Sequence, residues 1–147
     1  MSGSEMIIRQ YATEDETAVI ELWRKCNLTK PWNNPKLDIE RKLKVNPELF
    51  LVGLVQNRIA ATVMGGYDGH RGWIYYLAVD PEHQRKGLGR QIMTSAEKKL
   101  LATGCPKIDL MVRKSNTQVV EFYKTIGYGH DEVITMSKRL IEDKPIK

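Results

Sequence analysis

The stretch Trp73 to Val79, WIYYLAV, is apolar and aromatic at consecutive positions, so both of its faces need cover. A strand of this kind sits inside a sheet with a layer on each side. Asp80-Pro81 stops it, because proline has no amide to give to a ladder. Next comes HQRKGLGRQI, His83 to Ile92, with two glycines among basic residues. Leu88, Ile92, Met93, Ala96, Leu100 and Leu101 then form a long amphipathic helix closed by Gly104. A buried strand turning directly into a long helix points to a layered α/β architecture.

The rest of the pattern fills the layers. Ile7 to Gln10 reads as a first strand, and Thr13 with Glu16 as a capping box for a helix carrying Val19, Ile20, Leu22, Trp23 and Cys26. Asn34 caps and Pro35 opens a second helix, which Asn46-Pro47 ends. Leu49 to Val55 and Ile59 to Tyr67 are strands joined at Gln56-Asn57-Arg58, and Asp68-Gly69 is a hairpin turn into Trp73 to Val79. After the long helix come a strand from Ile108 to Val112, a helix from Asn116 to Thr125 ending at Gly127, and a last strand from Val133 to Arg139. This order predicts a mixed α/β sheet with helices on both faces. One domain over residues 1–147 is expected, with residues 1–5 as a flexible start.

Composition narrows the partners. No window approaches the roughly 18 to 20 apolar residues of a membrane span, and the start lacks the layout of a secretion signal. Cys26 and Cys105 have no nearby partner, which favours a reduced, cytoplasmic setting with two ordinary thiols. His70, His83 and His130 are scattered singly, so no metal site is expected. The net charge of +5 raises nucleic acid as a partner, yet the basic residues are dispersed among acids. A small anion is the better use of so modest a surplus.

Gly87 and Gly89 lie where such an anion would bind. The first amides of a helix have no internal partners, and the helix dipole favours negative charge there. Glycine lets a phosphate approach the backbone, with Arg85, Lys86 and Arg90 around the rim. The alternative is a plain surface turn with solvated side chains, and the turn alone leaves both open. A triphosphate-binding loop needs G-x-x-x-x-G-K-[ST], which is absent. A dinucleotide fingerprint would need a third glycine at Ile92.

Leu77-Ala78-Val79-Asp80-Pro81 followed by Gln84-Arg85-Lys86-Gly87-Leu88-Gly89 resembles the acetyl-CoA motif of the GNAT family of N-acetyltransferases. Asn116, Phe122-Tyr123 and Gly127-Tyr128 resemble the family's second signature, and the likeness runs from about Ile7 to Lys138. The stretch Gly65 to Gly72 is similar to that of bacterial YpeA-type members. The resemblance implies a mostly antiparallel sheet whose strands ending at Val79 and Val112 splay into a V. It also implies acetyl-CoA as cosubstrate: backbone groups of Leu77 and Val79, flanking Ala78, meet the pantetheine and thioester, and the amides from Arg85 to Arg90 hold the diphosphate. Backbone donors of this kind stabilise the oxyanion of acyl transfer. Asn116 matches the asparagine on the pantetheine arm, or is a helix cap, or both. Tyr123 matches the tyrosine that protonates the leaving thiolate; its alternative is a packing aromatic beside Val119 and Phe122.

No general base is evident. The positions where relatives carry a glutamate are Trp73 and Met111 here. Asp68, His70, Tyr75 and Tyr76 remain as candidates, with Tyr75 and Tyr76 expected on opposite sides of the strand so that at most one lines an acceptor groove. Trp32, Tyr67, Asp68, His70 and Tyr75 are expected on the acceptor side, and Trp23 in the core. The implied activity is acetyl transfer to a primary amine, on a small molecule or a peptide or protein, by direct attack in a ternary complex. A non-catalytic CoA-binding sensor is the alternative. Polyamine, antibiotic, amino acid, peptide N-terminus and lysine all stay open as acceptors, as does a homodimer.

Overall fold

Strands β1 (Met6–Gln10), β2 (Phe50–Val55), β3 (Arg58–Tyr67), β4 (Gly72–Val79) and β5 (Ile108–Leu110) form one sheet in chain order. The computed structural model describes residues 5–144. β1 to β4 are antiparallel neighbours, and β5 runs parallel to β4. Gln56 and Asn57 both have positive φ, 51° and 65°, in the left-handed turn that matches strand twist in a short hairpin.

Four helices cover the sheet: α1 (Glu16–Lys25), α2 (Pro35–Lys42), α3 (Leu88–Ala102) and α4 (Thr117–Thr125). On one face, Ile92, Met93 and Leu100 of α3 pack on Leu51, Val63 and Ile74, with Phe122 and Tyr123 of α4 at the margin. On the other, Val19, Ile20 and Trp23 of α1 and Ile39 of α2 pack on Phe50, Val52 and Met64. Each fully buried large side chain contributes about 1.5–3 kcal/mol. Packing on both faces is therefore what holds these short helices.

Several expectations need correction. Val133 to Arg139 forms no strand: the segment pairs with nothing among the described residues, and Ile134 and Met136 are each 88% exposed. Its alternation suits a strand, but an alternating segment becomes one only where an edge accepts it. Instead its ends are tied down elsewhere, by Lys107–Asp131 at 3.1 Å and by Arg41–Asp143 at 2.8 Å. β5 stops at Leu110 rather than Val112, and α2 ends at Lys42, before Asn46 takes a left-handed φ of 52°. The expected capping box is also different. Thr13 makes no capping bond, whereas Asp15 accepts from the Ala12 amide at 2.9 Å and from Arg9 at 2.7 Å. Residues 1–4 of the expected flexible start lie outside the described residues. Among the described residues no helix is long and apolar enough to cross a membrane, and no cluster of His, Cys, Asp or Glu could hold a metal.

Candidate functional site

β4 and β5 pair only from Gly72–Ile108 to Ile74–Leu110. Beyond Ile74, β4 continues to Val79 with no strand on that side among the described residues, so the two strands part. An irregularity falls at the same place. Met64 pairs with Tyr75 but Thr62 pairs with Ala78, which leaves one extra residue in β4. Tyr76 takes it up with a φ of +52°, a conformation uncommon outside glycine and concentrated at functional sites.

The bulge overturns the expectation that Tyr75 and Tyr76 face opposite sides. Tyr75 lies across from Met64, and cross-strand partners share a face. Tyr76 stacks on Trp23 at 3.8 Å, so both tyrosines are on the α1/α2 face, and Leu77 is the one turned to the α3 face. Thr62 holds the bulge, accepting from Trp23 Nε1 and donating to the Tyr76 carbonyl, each at 2.9 Å. Trp23 is fully buried, as expected.

The turn after β4 contains two left-handed residues, Arg85 at φ 66° and Gly87 at φ 81°. Such alternation turns successive amides inward into an anion-binding concavity. Gly87 caps α3, and no side chain caps the helix in its place. The two glycines have different jobs. At Gly87 the surroundings are open, whereas a Cβ at Gly89 would lie 3.1 Å from the Phe122 ring, so Gly89 is there for α3–α4 packing. Gln84, Arg85, Lys86, Gly87 and Arg90 are exposed and Leu88 is buried. Gln84 donates to the Val79 carbonyl at 3.1 Å, which Cys26 Sγ also approaches at 3.3 Å. Arg90 donates to the Thr125 carbonyl at the end of α4.

On α4, Asn116 accepts from the Val119 amide at 3.4 Å, the capping role considered from sequence. Tyr123 is 8% exposed, edge-on to Phe122 and Tyr128. No group among the described residues hydrogen-bonds its hydroxyl. Burial pushes its pKa up to about 12, which keeps the proton on. Tyr128 is tied instead to Glu97, at 2.6 Å.

The β3–β4 hairpin gathers Tyr67, Asp68, His70 and Trp73. Asp68 accepts from the His70 and Arg71 amides, each at 2.8 Å, and from Trp73 Nε1 at 3.3 Å. Those donors hold its carboxyl below the usual range, the opposite of a tuned base. The Tyr67 hydroxyl points to the Gly69 and Gly104 carbonyls at 3.2 and 3.5 Å, on the α3 side. Trp32 is 45% exposed, with the Arg113 guanidinium 4.9 Å above its ring, a cation–π contact linking the loop before α2 to the chain after β5. Met111 is 54% exposed and Tyr75 44%. Sequence reading missed two groups here. The Asp38 carboxylate on α2 accepts from the Tyr76 hydroxyl at 2.6 Å, and Lys42, its pKa lowered by burial, donates to the Gly65 carbonyl.

Comparison with known proteins agrees with this geometry. The Acetyltransferase (GNAT) family profile matches residues 16–128. An acetyltransferase of Pectobacterium atrosepticum is 50% identical over 139 residues, covering 95% of this chain and 99% of its own. Among solved structures, the aminoglycoside N-acetyltransferase AAC(6')-Iy with a bisubstrate analogue superposes with a TM-score of 0.75 at 17% identity, covering 92% and 99% of the two chains. The PaiA N-acetyltransferase of Thermoplasma acidophilum, solved with coenzyme A, gives 0.71 at 19% identity, covering 88% and 93%. The profile match spans the parted strands, the left-handed turn and the Tyr123 helix, and the chain belongs to the acetyltransferase (GNAT) family.

Proposed function

We propose that this acetyltransferase takes its acetyl group from acetyl-CoA and passes it to a primary amine by direct attack, with both substrates bound together. The observation that carries the reading is the parting of β4 from β5 beside the left-handed turn at Arg85 and Gly87. The edge of β4 that β5 leaves open, from Tyr75 to Val79, suits an extended pantetheine arm, which would add to the sheet as a further strand. The inward amides of the turn and the N-terminus of α3 suit a diphosphate.

Within this reading the Leu77 backbone polarises the thioester carbonyl, flanked by Ala78 and Val79. Gln84, Arg85, Lys86, Gly87, Leu88, Gly89 and Arg90 form the diphosphate turn, Arg90 and Gly89 by joining α3 to α4. Asn116 borders the pantetheine arm while capping α4, and Tyr123 gives its proton to the departing thiolate. Trp32 and Tyr75 border the amine, with Tyr67, Asp68 and His70 shaping the hairpin end. The free thiols Cys26 and Cys105 support a cytoplasmic setting.

Titration calorimetry with acetyl-CoA, followed by an acetyl-transfer assay over polyamines, aminoglycosides, amino acids and peptides, tests the proposal. Saturable binding and one or more acetylated amines are expected. Acetyl-CoA binding with no acetylated product in any class would overturn it.

A further inference from the structure

β4 carries no carboxylate from Gly72 to Val79. The fold brings a carboxylate to the bulge from a different element. Asp38 on α2 accepts from the Tyr76 hydroxyl at 2.6 Å. Tyr76 is the residue immediately before Leu77, and its ring is fixed on Trp23 at 3.8 Å. The Thr62 bond to the Tyr76 carbonyl holds the backbone in its left-handed turn.

Two features separate this pair from ordinary packing. The Asp38 side chain is 26% exposed, so it lies at a rim that a substrate can reach. Arg41, its nearest cation, stands at 3.9 Å and is committed to Asp143, with both guanidinium nitrogens at 2.8 and 2.9 Å. Asp38 is therefore not held in a bidentate ion pair, and its carboxylate oxygens stay open to a further partner. A phenol that donates to a carboxylate still has lone pairs free to accept from a third group.

We infer that Asp38, acting through Tyr76, receives the proton released by the acceptor amine. The inference rests on the acetyl-transfer reading above. As the amine nitrogen bonds to the thioester carbonyl carbon, it sheds a proton to the Tyr76 oxygen. The Tyr76 proton passes at the same time to Asp38 Oδ2. When the C–S bond breaks, its electron pair leaves with sulfur, and the thiolate takes a proton from Tyr123. Solvent returns the Asp38 proton to Tyr123, so the sum is amide plus free thiol. Tyr76 is never left as a phenolate in this exchange. Asp38 also gives the pocket its selectivity, because a carboxylate one hydroxyl away from the reacting nitrogen draws in cationic amines, which lose a first proton to solvent before the neutral nitrogen attacks.

Asp38→Asn keeps an oxygen that can accept from Tyr76 and removes only the proton affinity. Tyr76→Phe keeps the ring on Trp23 and removes only the hydroxyl. With an acceptor from the amine panel, each variant should lose kcat by about 10²-fold while KM for acetyl-CoA stays at its wild-type value and the protein stays folded, with only a small drop in melting temperature from the altered hydrogen bond. The double variant should lose no more than either single one, since both cut the same path. Near wild-type kcat in either folded variant overturns the inference, and so do losses that multiply in the double variant. If one variant fails to fold, the other still reads the same path. A wild-type protein that acetylates no amine overturns the transfer reading and this inference together, whereas an active wild type with equally active variants overturns the inference alone.

Discussion

Burial lifts the Tyr123 phenol to about 12. A proton held that firmly is present at every ordinary assay pH, so this acid should not generate a high-pH limb of kcat below about 12. Tyr123→Phe should lower kcat by about 10²-fold evenly across the accessible range, with acetyl-CoA affinity unchanged. Steady-state kinetics beside calorimetric titration would check this, and a variant with wild-type kcat would reduce Tyr123 to packing. At this scale the sequence was half legible. Tyr123 stood inside a recognisable motif, but the burial that tunes it depends on Phe122 and Tyr128 closing around the ring. Asp38 was not legible at all. Its partner Tyr76 lies 38 positions away, and no local pattern joins a mid-helix aspartate to a bulge in a strand.

Elements were legible wherever one segment sets its own conformation. The hairpin at Asp68 and the cap at Asn34 came out as read, and so did the apolar stripe of α3 except for Leu101, which is 72% exposed. Most of what failed needed a neighbour; the Thr13 cap is the local exception, its place taken by Asp15 two residues on. Val133 to Arg139 has strand alternation and no edge to join, and the β4 bulge appears only when β3 is laid beside it. The glycine turn lies between these cases. Gly87→Val puts a β-branched residue at φ 81° and should weaken acetyl-CoA binding, with a modest loss of stability from the left-handed backbone, about 1–2 kcal/mol. Gly89→Val pushes a side chain into Phe122, 3.1 Å from the new Cβ, and should cost about 1–3 kcal/mol through overpacking. Melting curves set against acetyl-CoA titrations separate the two. Unchanged affinity in a folded Gly87→Val protein would remove the diphosphate from this turn.

Across the whole molecule, phenols are the groups most shifted by folding. Tyr11 and Tyr123 are pushed up to about 12, and Tyr75, Tyr76 and Tyr128 are also raised. Burial is the main cause in each, joined at Tyr76 and Tyr128 by the carboxylates of Asp38 and Glu97. Above about pH 10 the unfolded chain releases phenolic protons that the folded chain retains. The stabilisation from these groups is therefore complete below pH 10 and is lost as pH rises through their folded pKa values. The urea midpoint should fall between about pH 8 and about pH 11. An unchanged midpoint would mean that the rings titrate as freely as in a peptide.

The clamp between Arg41 and Asp143 ties the segment after α4 to the helix that carries Asp38. Arg41 stands between two carboxylates, 2.8 Å from Asp143 and 3.9 Å from Asp38. Asp143→Asn leaves the guanidinium with Asp38 as its nearest anion among the described residues, and a closer ion pair there would draw the carboxylate away from the Tyr76 hydroxyl. That variant should lose kcat in the same direction as Asp38→Asn, by a smaller factor, with KM for acetyl-CoA unchanged. Wild-type kcat in the variant would show that Arg41 stays where it is. A change at Asp143 would then register as lost turnover, carried by one guanidinium to a carboxylate on another element.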